Sequence, residues 1–187
     1  MSHFPAFINM NNKKILLVGA GQIAFNKLNT LLDFTSNITI LSSEFTSDIK
    51  ELINKNSLEF IQRNYEAGDI KGFDIVVVAT NSLELQESIY NESRQINCFF
   101  NCVDIPEFCD FTFASYIKEG DLTLAISTSG NSPAVSKQLR IYLEKLIPKN
   151  ISTFLNEMKE YRKSMPKGKE RMKFLEQKAK NYFNSLK

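Results

Sequence analysis

The stretch KKILLVGAGQIA, residues 13–24, constrains the fold of this chain more than any other feature of its sequence. A short apolar run ends at a glycine, and the residues that follow fit the pattern G-x-G-x-x-G/A just before a segment with helical spacing. Gly19 would permit a tight turn, Gly21 would let the backbone approach a pyrophosphate, and Ala24 would keep the helix close to a sheet. The stretch predicts the start of a dinucleotide-binding unit, with a purely structural glycine turn as the alternative.

Strand-like apolar runs and helix-like segments alternate from this point to about residue 110. The run IVVV, residues 75–78, is apolar throughout, as expected for a strand that is buried on both faces. Such alternation predicts an α/β fold with a Rossmann-like, doubly wound parallel sheet, because parallel strands need right-handed crossover connections. The predicted strands span residues 13–19, 37–41, 58–62, 74–80 and 96–103, and the predicted helices span 22–33, 47–54 and 83–94.

The pattern changes after Phe111, where two strand-like runs are joined by KEGD and followed by a helix over residues 134–146. This βα piece is too small to bury a core alone, so we expect it to pack on a partner or on a second copy. The remaining sequence is helical, with 11 Lys/Arg and 4 Asp/Glu from residue 148 onward, a net charge of +7. We predict a dinucleotide-binding domain over residues 1–112, a dimerisation segment over 113–147 and a basic helical domain over 148–187.

The end of the second predicted strand, LSSEF, bears on the choice between NAD and NADP. Ser42 and Ser43 could bond ribose hydroxyls, and Glu44 is the nearest acid to the place where a ribose-binding carboxylate is usual. No Lys or Arg occurs between Asn29 and Asp48, so no cation is available there to bind a 2′-phosphate. The sequence favours NAD, although Glu44 could equally be a solvated loop acid.

Polar residues follow two other strands at the edge where doubly wound sheets bind their ligands. One strand delivers Ala79 and Thr80 to this edge, and another delivers Asn101 and Asp104. A carboxylate at position 104 could take up a proton as a hydride leaves a substrate. The alternative is a turn cap for the Asp-Ile-Pro bend, and the spacing alone does not separate the two interpretations.

The turn STSGNSP, residues 127–133, is rich in hydroxyl groups and leads into the helix over residues 134–146. Ser132 suits the N-cap of this helix, and the proline suits its first turn. The turn could also bind substrate carboxylates through hydroxyl and backbone N–H groups. That second interpretation makes the substrate-binding candidates Ser127, Thr128, Ser129, Gly130 and Ser132.

Other features argue against several classes of protein. No apolar run approaches the roughly 20 residues that a membrane span requires, and the N-terminus lacks the pattern of a signal peptide. We therefore expect a cytoplasmic protein with reduced thiols, and we expect Cys98 and Cys102 to be buried on a core strand. The single histidine and the cysteine spacing predict no metal site.

Several segments, in order, closely resemble the precorrin-2 dehydrogenases of sirohaem synthesis, whose unit also forms the first part of multifunctional sirohaem synthases. The resemblance spans about residues 3–148 and is carried by HFPAFINMNNKKILLVGAGQIAFNK, VVVATN, NCVDIPEFCDF and LAISTSGNSPAVSKQLR. It implies a homodimeric enzyme that oxidises precorrin-2 to sirohydrochlorin and passes a hydride to NAD⁺. It also implies that the family's aspartate falls on Asp104 and that cofactor contacts fall on Gln22, Ile23, Ser43 and Glu44.

Three alternatives stay open at this level. Some members of the family also insert Fe²⁺ into sirohydrochlorin, so the chain could be a bifunctional enzyme. A regulatory module that senses NAD without chemistry would use the same glycine loop. Nucleic-acid binding through the basic tail is a third class, and the net charge of −5 on residues 1–147 argues against it.

Overall fold

The computed structural model describes residues 4–103 and 105–186, and these divide along the chain into two compact units, with the boundary between Thr112 and Phe113. The first unit contains β1 (Ile15–Val18), α1 (Gln22–Leu32), β2 (Ile38–Ser42), α2 (Ser47–Asn56), β3 (Glu59–Gln62), β4 (Ile75–Val78), α3 (Leu83–Ser93), β5 (Phe99–Cys102) and a 3₁₀ turn (Pro106–Phe108). The second contains β6 (Ser115–Glu119), β7 (Leu122–Ile126), α4 (Pro133–Glu144), α5 (Ile151–Ser164) and α6 (Lys169–Asn184).

The sheet of the first unit has five parallel strands in the order β3-β2-β1-β4-β5. The chain leaves β1 on one side to form β2 and β3, and then returns to the other side of β1 to form β4 and β5. The reversal places the topological switch point between β1 and β4, where open α/β sheets bind ligands. The prediction of a Rossmann-like α/β fold is confirmed.

The core lies around the two central strands. Every residue of β1 and β4 is at most 3% exposed, because helices cover both faces of the sheet at these strands. The outermost strand β3 differs, since Phe60 there is 54% exposed. The continuous apolar run predicted to be buried on both faces is thus a central strand.

The last parallel strand begins three residues later than predicted. Residues 94–98 form turns instead, in which Ile96 N donates to Ser93 O and Cys98 N donates to Ile96 O. Cys98 therefore precedes β5 and is only half-buried, whereas Cys102 is buried on the strand as predicted. The prediction for Cys98 was wrong because turn bonds after α3 continue to this residue and delay the start of the strand to Phe99.

The connection from β3 to β4 contains no helix and is held by two carboxylates. Asp69 accepts a forked pair of hydrogen bonds from Arg63, each at 2.7 Å, and a third from Glu66 N at 2.8 Å. Glu92 on α3 accepts from the Tyr65 hydroxyl at 2.6 Å and from Gly68 N at 2.8 Å. Burial and the bond to Glu92 raise the pKa of Tyr65. Side-chain hydrogen bonds thus hold this connection in place, where a crossover helix is usual between parallel strands.

The second unit joins an antiparallel hairpin to three helices. Residues of β6 and β7 pair from Ser115 with Ile126 to Glu119 with Leu122, and α4 packs on both strands. The helices α5 and α6 pack through aromatic pairs, of which Phe154 and Tyr182 are stacked at 3.9 Å between ring centroids. In the described part of the chain, none of the helices combines the length and the apolar character that crossing a membrane demands.

We predict that Asp69→Asn will make the free energy of unfolding less sensitive to acid. The Arg63 guanidinium, followed by the Glu66 N–H, holds the pKa of Asp69 below its ordinary value of 3.8. A carboxyl with a lowered folded-state pKa stabilises the fold above its unfolded-state value, and this contribution is lost as the pH falls through the folded-state pKa. Urea denaturation at a series of pH values from 7 to 2 measures the slope.

Glu66→Gln is the matched control, because it removes an exposed carboxylate from the same segment. The wild type and this control should lose stability below pH 4 more steeply than Asp69→Asn. Parallel curves for all three proteins would contradict the contribution assigned to Asp69.

Candidate functional site

The glycine loop crosses the end of β4 at very short range. Gly19 has a φ angle of +106°, and its N–H donates to Leu41 O at 2.8 Å. A Cβ atom at Gly19 would collide with the Ala79 carbonyl oxygen and would lie 2.9 Å from the Ala79 carbonyl carbon. Only glycine combines this backbone conformation with this approach, so the tight-turn role predicted for Gly19 has a direct physical reason.

The N-terminus of α1 is open and uncapped. Gly21 occupies the N-cap position without a side chain to accept from the first turn, which also contains no acid. Apart from its own chain neighbours, none of the described residues has an atom within 4 Å of the place where a Gly21 Cβ would be. The N–H groups of Gln22, Ile23 and Ala24 precede the first intrahelical donor, Phe25 N, which bonds Gly21 O at 2.9 Å. This end of the helix can therefore bind an anion such as a pyrophosphate.

The loop after β2 is tied to the glycine loop. Thr46 donates to Ala20 O through its backbone N–H at 3.3 Å and through its hydroxyl at 3.2 Å. Ser43 and Glu44 lie between the strand and this anchor, and both are exposed. The anchor was missed from the sequence, because a threonine in a loop gives no signal of a bond to a residue 26 positions away. It keeps the two candidate ribose-binding residues beside the phosphate-binding loop.

The loop after β4 is held by hydrogen bonds to β1 and α3. Ala79 N donates to Val18 O at 2.8 Å, and the buried side chain of Gln86 donates through Nε2 to Thr80 O. Ser82 caps α3 by accepting from Leu85 N at 3.3 Å. Gln86 was also missed, because a glutamine on a predicted helix gives no signal of a bond to a loop residue six positions earlier. The backbone of the loop that contains Thr80 is thus held in place by these hydrogen bonds.

Asn101 is buried and holds a returning segment. Its Nδ2 donates to Phe111 O at 2.8 Å and contacts Cys109 Sγ at 3.4 Å. Its Oδ1 has no hydrogen-bond partner among the described residues. Asp104, the predicted catalytic residue, lies outside the described residues, so the choice between acid–base group and turn cap stays a prediction.

The turn before α4 lies in the second unit. Ser132 caps the helix by accepting from Val135 N at 3.3 Å, as its structural interpretation requires. Thr128 Oγ1 donates to Ser132 O at 3.1 Å and lies 3.0 Å from Ser136 Oγ, while Ser127 accepts from Ser129 N at 3.1 Å. Ser129 and Gly130 both have positive φ angles. Most hydroxyls here stabilise the turn itself, and substrate binding by the turn stays a prediction.

A groove of about 650 Å³ lies at the amino ends of β1, β4 and β5, away from the glycine loop. Its charged groups are paired, with Lys13 2.7 Å from Asp74 and Arg94 2.7 Å from Asp110. Within residues 4–103 and 105–186, no three His, Cys, Asp or Glu side chains gather in a way suited to a metal ion. Because the groove lies at the amino ends of the strands, it is separate from the switch-point site at their carboxyl ends.

Comparison with known proteins identifies relatives for both units. A family model described as putative NAD(P)-binding matches residues 6–115, and a model of the sirohaem biosynthesis protein central region matches residues 119–146. The siroheme synthase of Methylococcus capsulatus is 31% identical over 153 residues, which are 82% of this chain and 32% of that protein. The siroheme synthase of Pseudoalteromonas translucida is 31% identical over 151 residues, which are 81% of this chain and 32% of that protein.

The chain thus spans about a third of the length of the curated relatives that it matches. Among solved structures, one named SirC, precorrin-2 dehydrogenase, aligns with a TM-score of 0.78 at 20% identity. The alignment covers 94% of this chain and 88% of that one. At this identity the likeness shows a shared fold.

We predict different effects for two similar substitutions in the glycine loop, one mainly on stability and the other mainly on cofactor binding. Gly19→Ala should destabilise the first unit by at least about 2 kcal/mol, because the new methyl group collides with the Ala79 carbonyl and φ is unfavourable. Gly21→Ala should cost less, about 1 kcal/mol, since its φ of −90° suits alanine and the space is open, and the cost comes only from placing alanine at a helix N-cap. Its methyl group would instead occupy the path of a bound pyrophosphate.

Chemical denaturation and NAD⁺ titration by calorimetry separate the two effects. Gly21→Ala should weaken NAD⁺ binding at least about tenfold while it loses clearly less stability than Gly19→Ala and stays folded in the assay. Unchanged binding by Gly21→Ala would contradict a pyrophosphate at the N-terminus of α1.

Proposed function

This chain belongs to the precorrin-2 dehydrogenase and sirohaem synthase family, and from that premise we propose that it oxidises precorrin-2 to sirohydrochlorin with NAD⁺ as its cofactor. The observation that carries the proposal is the open, uncapped N-terminus of α1 at the switch point of the parallel sheet. The match of residues 119–146 to the sirohaem central model supports a tetrapyrrole substrate over the many other substrates of dinucleotide-binding folds.

The cofactor would lie across the carboxyl ends of β1, β2 and β4. The first-turn N–H groups of α1 would bind its pyrophosphate, and Ser43 and Glu44 would bond its adenosine ribose. The constrained loop after β4 would support its nicotinamide end. The proposed cofactor-binding residues are Gly19, Gly21, Gln22, Ile23, Ala24, Ser43, Glu44, Ala79 and Thr80.

Charge beside the ribose site supports NAD over NADP. The loop after β2 exposes one carboxylate, Glu44, and no Lys or Arg occurs from Thr30 to Ser47. A 2′-phosphate there would face a like charge without a cation to bind it, which disfavours NADP.

The oxidation removes a hydride and a proton from the substrate. Bound NAD⁺ supplies the hydride acceptor, and we assign the proton to the carboxylate of Asp104, which comes two residues after the end of β5 in the sequence. Asn101 would support this group from the strand. Ser127, Thr128, Ser129, Gly130 and Ser132 would bind carboxylates of the substrate, and the basic helices α5 and α6 would attract that polyanion.

A second copy of the chain is part of this proposal. Three exposed apolar residues, Val135, Leu139 and Tyr142, lie on one face of α4 at a spacing of three to four residues, and Leu146 continues this spacing in the turn after the helix; the four are 41–61% exposed. The hairpin that α4 covers has only two strands, and such a hairpin is marginally stable alone. A homodimer in which this stripe is buried would supply the missing core.

We predict that Leu139→Glu together with Tyr142→Glu converts the dimer to a monomer, because two carboxylates would be buried in an apolar interface. Sedimentation velocity measures the mass. Lys137→Glu lies on the opposite, exposed side of α4 and should stay dimeric. If the double variant sediments like the wild type, the stripe is not the dimer interface.

The test of the function is an anaerobic assay of the purified chain with precorrin-2 and either NAD⁺ or NADP⁺. We expect NADH formation at 340 nm, the appearance of sirohydrochlorin, and weaker activity with NADP⁺. Asp104→Asn should reduce turnover by at least about 100-fold while NAD⁺ binding is unchanged, because the amide keeps the shape but cannot take up the proton.

Two other results of this assay would change the proposed function or the role of Asp104. NAD⁺ binding without turnover by the wild type would indicate a sensing module instead of an enzyme. Normal turnover by Asp104→Asn would make Asp104 a turn cap only. Adding Fe²⁺ or Co²⁺ to the product mixture then tests for the second activity that the name siroheme synthase suggests for the relatives.

A further inference from the structure

The edge strand β5 has backbone groups that no neighbouring strand can bond. Phe99 N and Val103 N donate towards β4, to Asp74 O at 2.8 Å and to Val78 O at 3.0 Å. The alternate residues Phe100 and Cys102 therefore direct their N–H and C=O groups away from the sheet. Unpaired groups at such an edge are costly when they are buried, and both residues are at most 3% exposed.

Two residues of the returning segment, Cys109 and Asp110, satisfy these groups. Asp110 donates its backbone N–H to Phe100 O at 2.8 Å and accepts from Phe100 N through Oδ2 at 2.8 Å. The Cys109 thiol donates to Cys102 O at 3.1 Å and accepts from Cys102 N at 3.3 Å. We call these four bonds of Cys109 and Asp110 the edge clasp.

The clasp is anchored to α3 as well as to β5. Arg94 donates two parallel bonds to the Asp110 carboxylate, at 2.8 and 2.7 Å. These bonds, together with the one from Phe100 N, lower the pKa of Asp110 and keep it charged. Phe108 stacks on Tyr90 with 4.3 Å between ring centroids. The returning segment is thus fixed on two elements of the core.

The thiol of Cys109 also reaches the residue that follows Asp104 in the sequence. Its single proton is shared between two carbonyls, since Sγ lies 3.1 Å from Cys102 O and 3.4 Å from Ile105 O, while Val103, on the other side, is held by its bond to Val78 O. Burial, more than any other cause, raises the pKa of the Cys109 thiol, so the S–H proton that these carbonyls need is retained at neutral pH. Both neighbours of Asp104 in the chain are therefore fixed, one by the sheet and one by the clasp.

We propose that Cys109 is a positioning residue, which sets the backbone on both sides of Asp104 so that its carboxylate meets the substrate. The proposal rests on the proposed function, in which Asp104 takes up the proton. A shift of about 1 Å in a reacting group can reduce turnover about 100-fold, so a clasp of weak individual bonds can still control the rate.

The experiment compares Cys109→Ala, Cys109→Ser and the control Cys98→Ala in the precorrin-2 assay. Cys98 is also half-buried, but it precedes β5 and lies outside the clasp. We expect Cys109→Ala to lower kcat by about 10- to 100-fold and to leave the Kd for NAD⁺ within twofold of the wild-type value. Cys109→Ser should recover part of kcat, since a hydroxyl can donate and accept the same bonds. Cys98→Ala should resemble the wild type.

A second measurement covers the case in which Cys109→Ala does not fold. Amide hydrogen exchange of the peptide over residues 102–109 should be faster in Cys109→Ser than in Cys98→Ala, and kcat of Cys109→Ser should fall without a change in NAD⁺ affinity. Wild-type kcat in Cys109→Ala, or equal losses in kcat and NAD⁺ affinity, would overturn the positioning role. An inactive wild type would overturn the proposed function and this role with it.

Discussion

The contact between Gly19 and the carbonyl of Ala79 is the constraint on which the candidate site depends. It brings the loop after β1 against the end of β4, where the order of the sheet reverses. Any side chain at Gly19 would separate the two loops and move the N-terminus of α1 from the switch point. The bonds of Thr46 to Ala20 and of Gln86 to Thr80 then fix the two loops that flank this contact. Both loops beside the proposed cofactor site are thus hydrogen-bonded to neighbouring elements of the fold.

Much of the fold could be predicted from the sequence, because its signals are local. The apolar run IVVV, the glycine pattern and the alternation of strands with helices each depend on neighbouring residues, and the sheet confirmed them. The bonds that shape the site could not be predicted this way. Thr46, Gln86 and Cys109 bond backbone groups whose position depends on the folded sheet, so their identity alone carries no signal of a partner. Substrate and activity depended on the family resemblance.

Side chains in this protein repeatedly take the place of secondary structure. Asp69 and Glu92 hold the crossover from β3 to β4 without a helix, and Cys109 and Asp110 pair with the outer edge of β5 without a strand. In each case a carboxylate accepts backbone N–H groups, which is a strong, charge-assisted bond. Carboxylates in such positions are structural, and sequence patterns alone do not distinguish them from catalytic ones.

The edge clasp also makes the segment between Cys102 and Cys109 a closed loop with both ends bonded to each other. The entropy lost in closing such a loop depends only weakly on its length, and each doubling costs roughly 0.6 kcal/mol. Residues could therefore be gained or lost within this loop during evolution while β5 and the core keep their structure. The reach of the loop towards a substrate can vary in this way independently of the stability of the sheet.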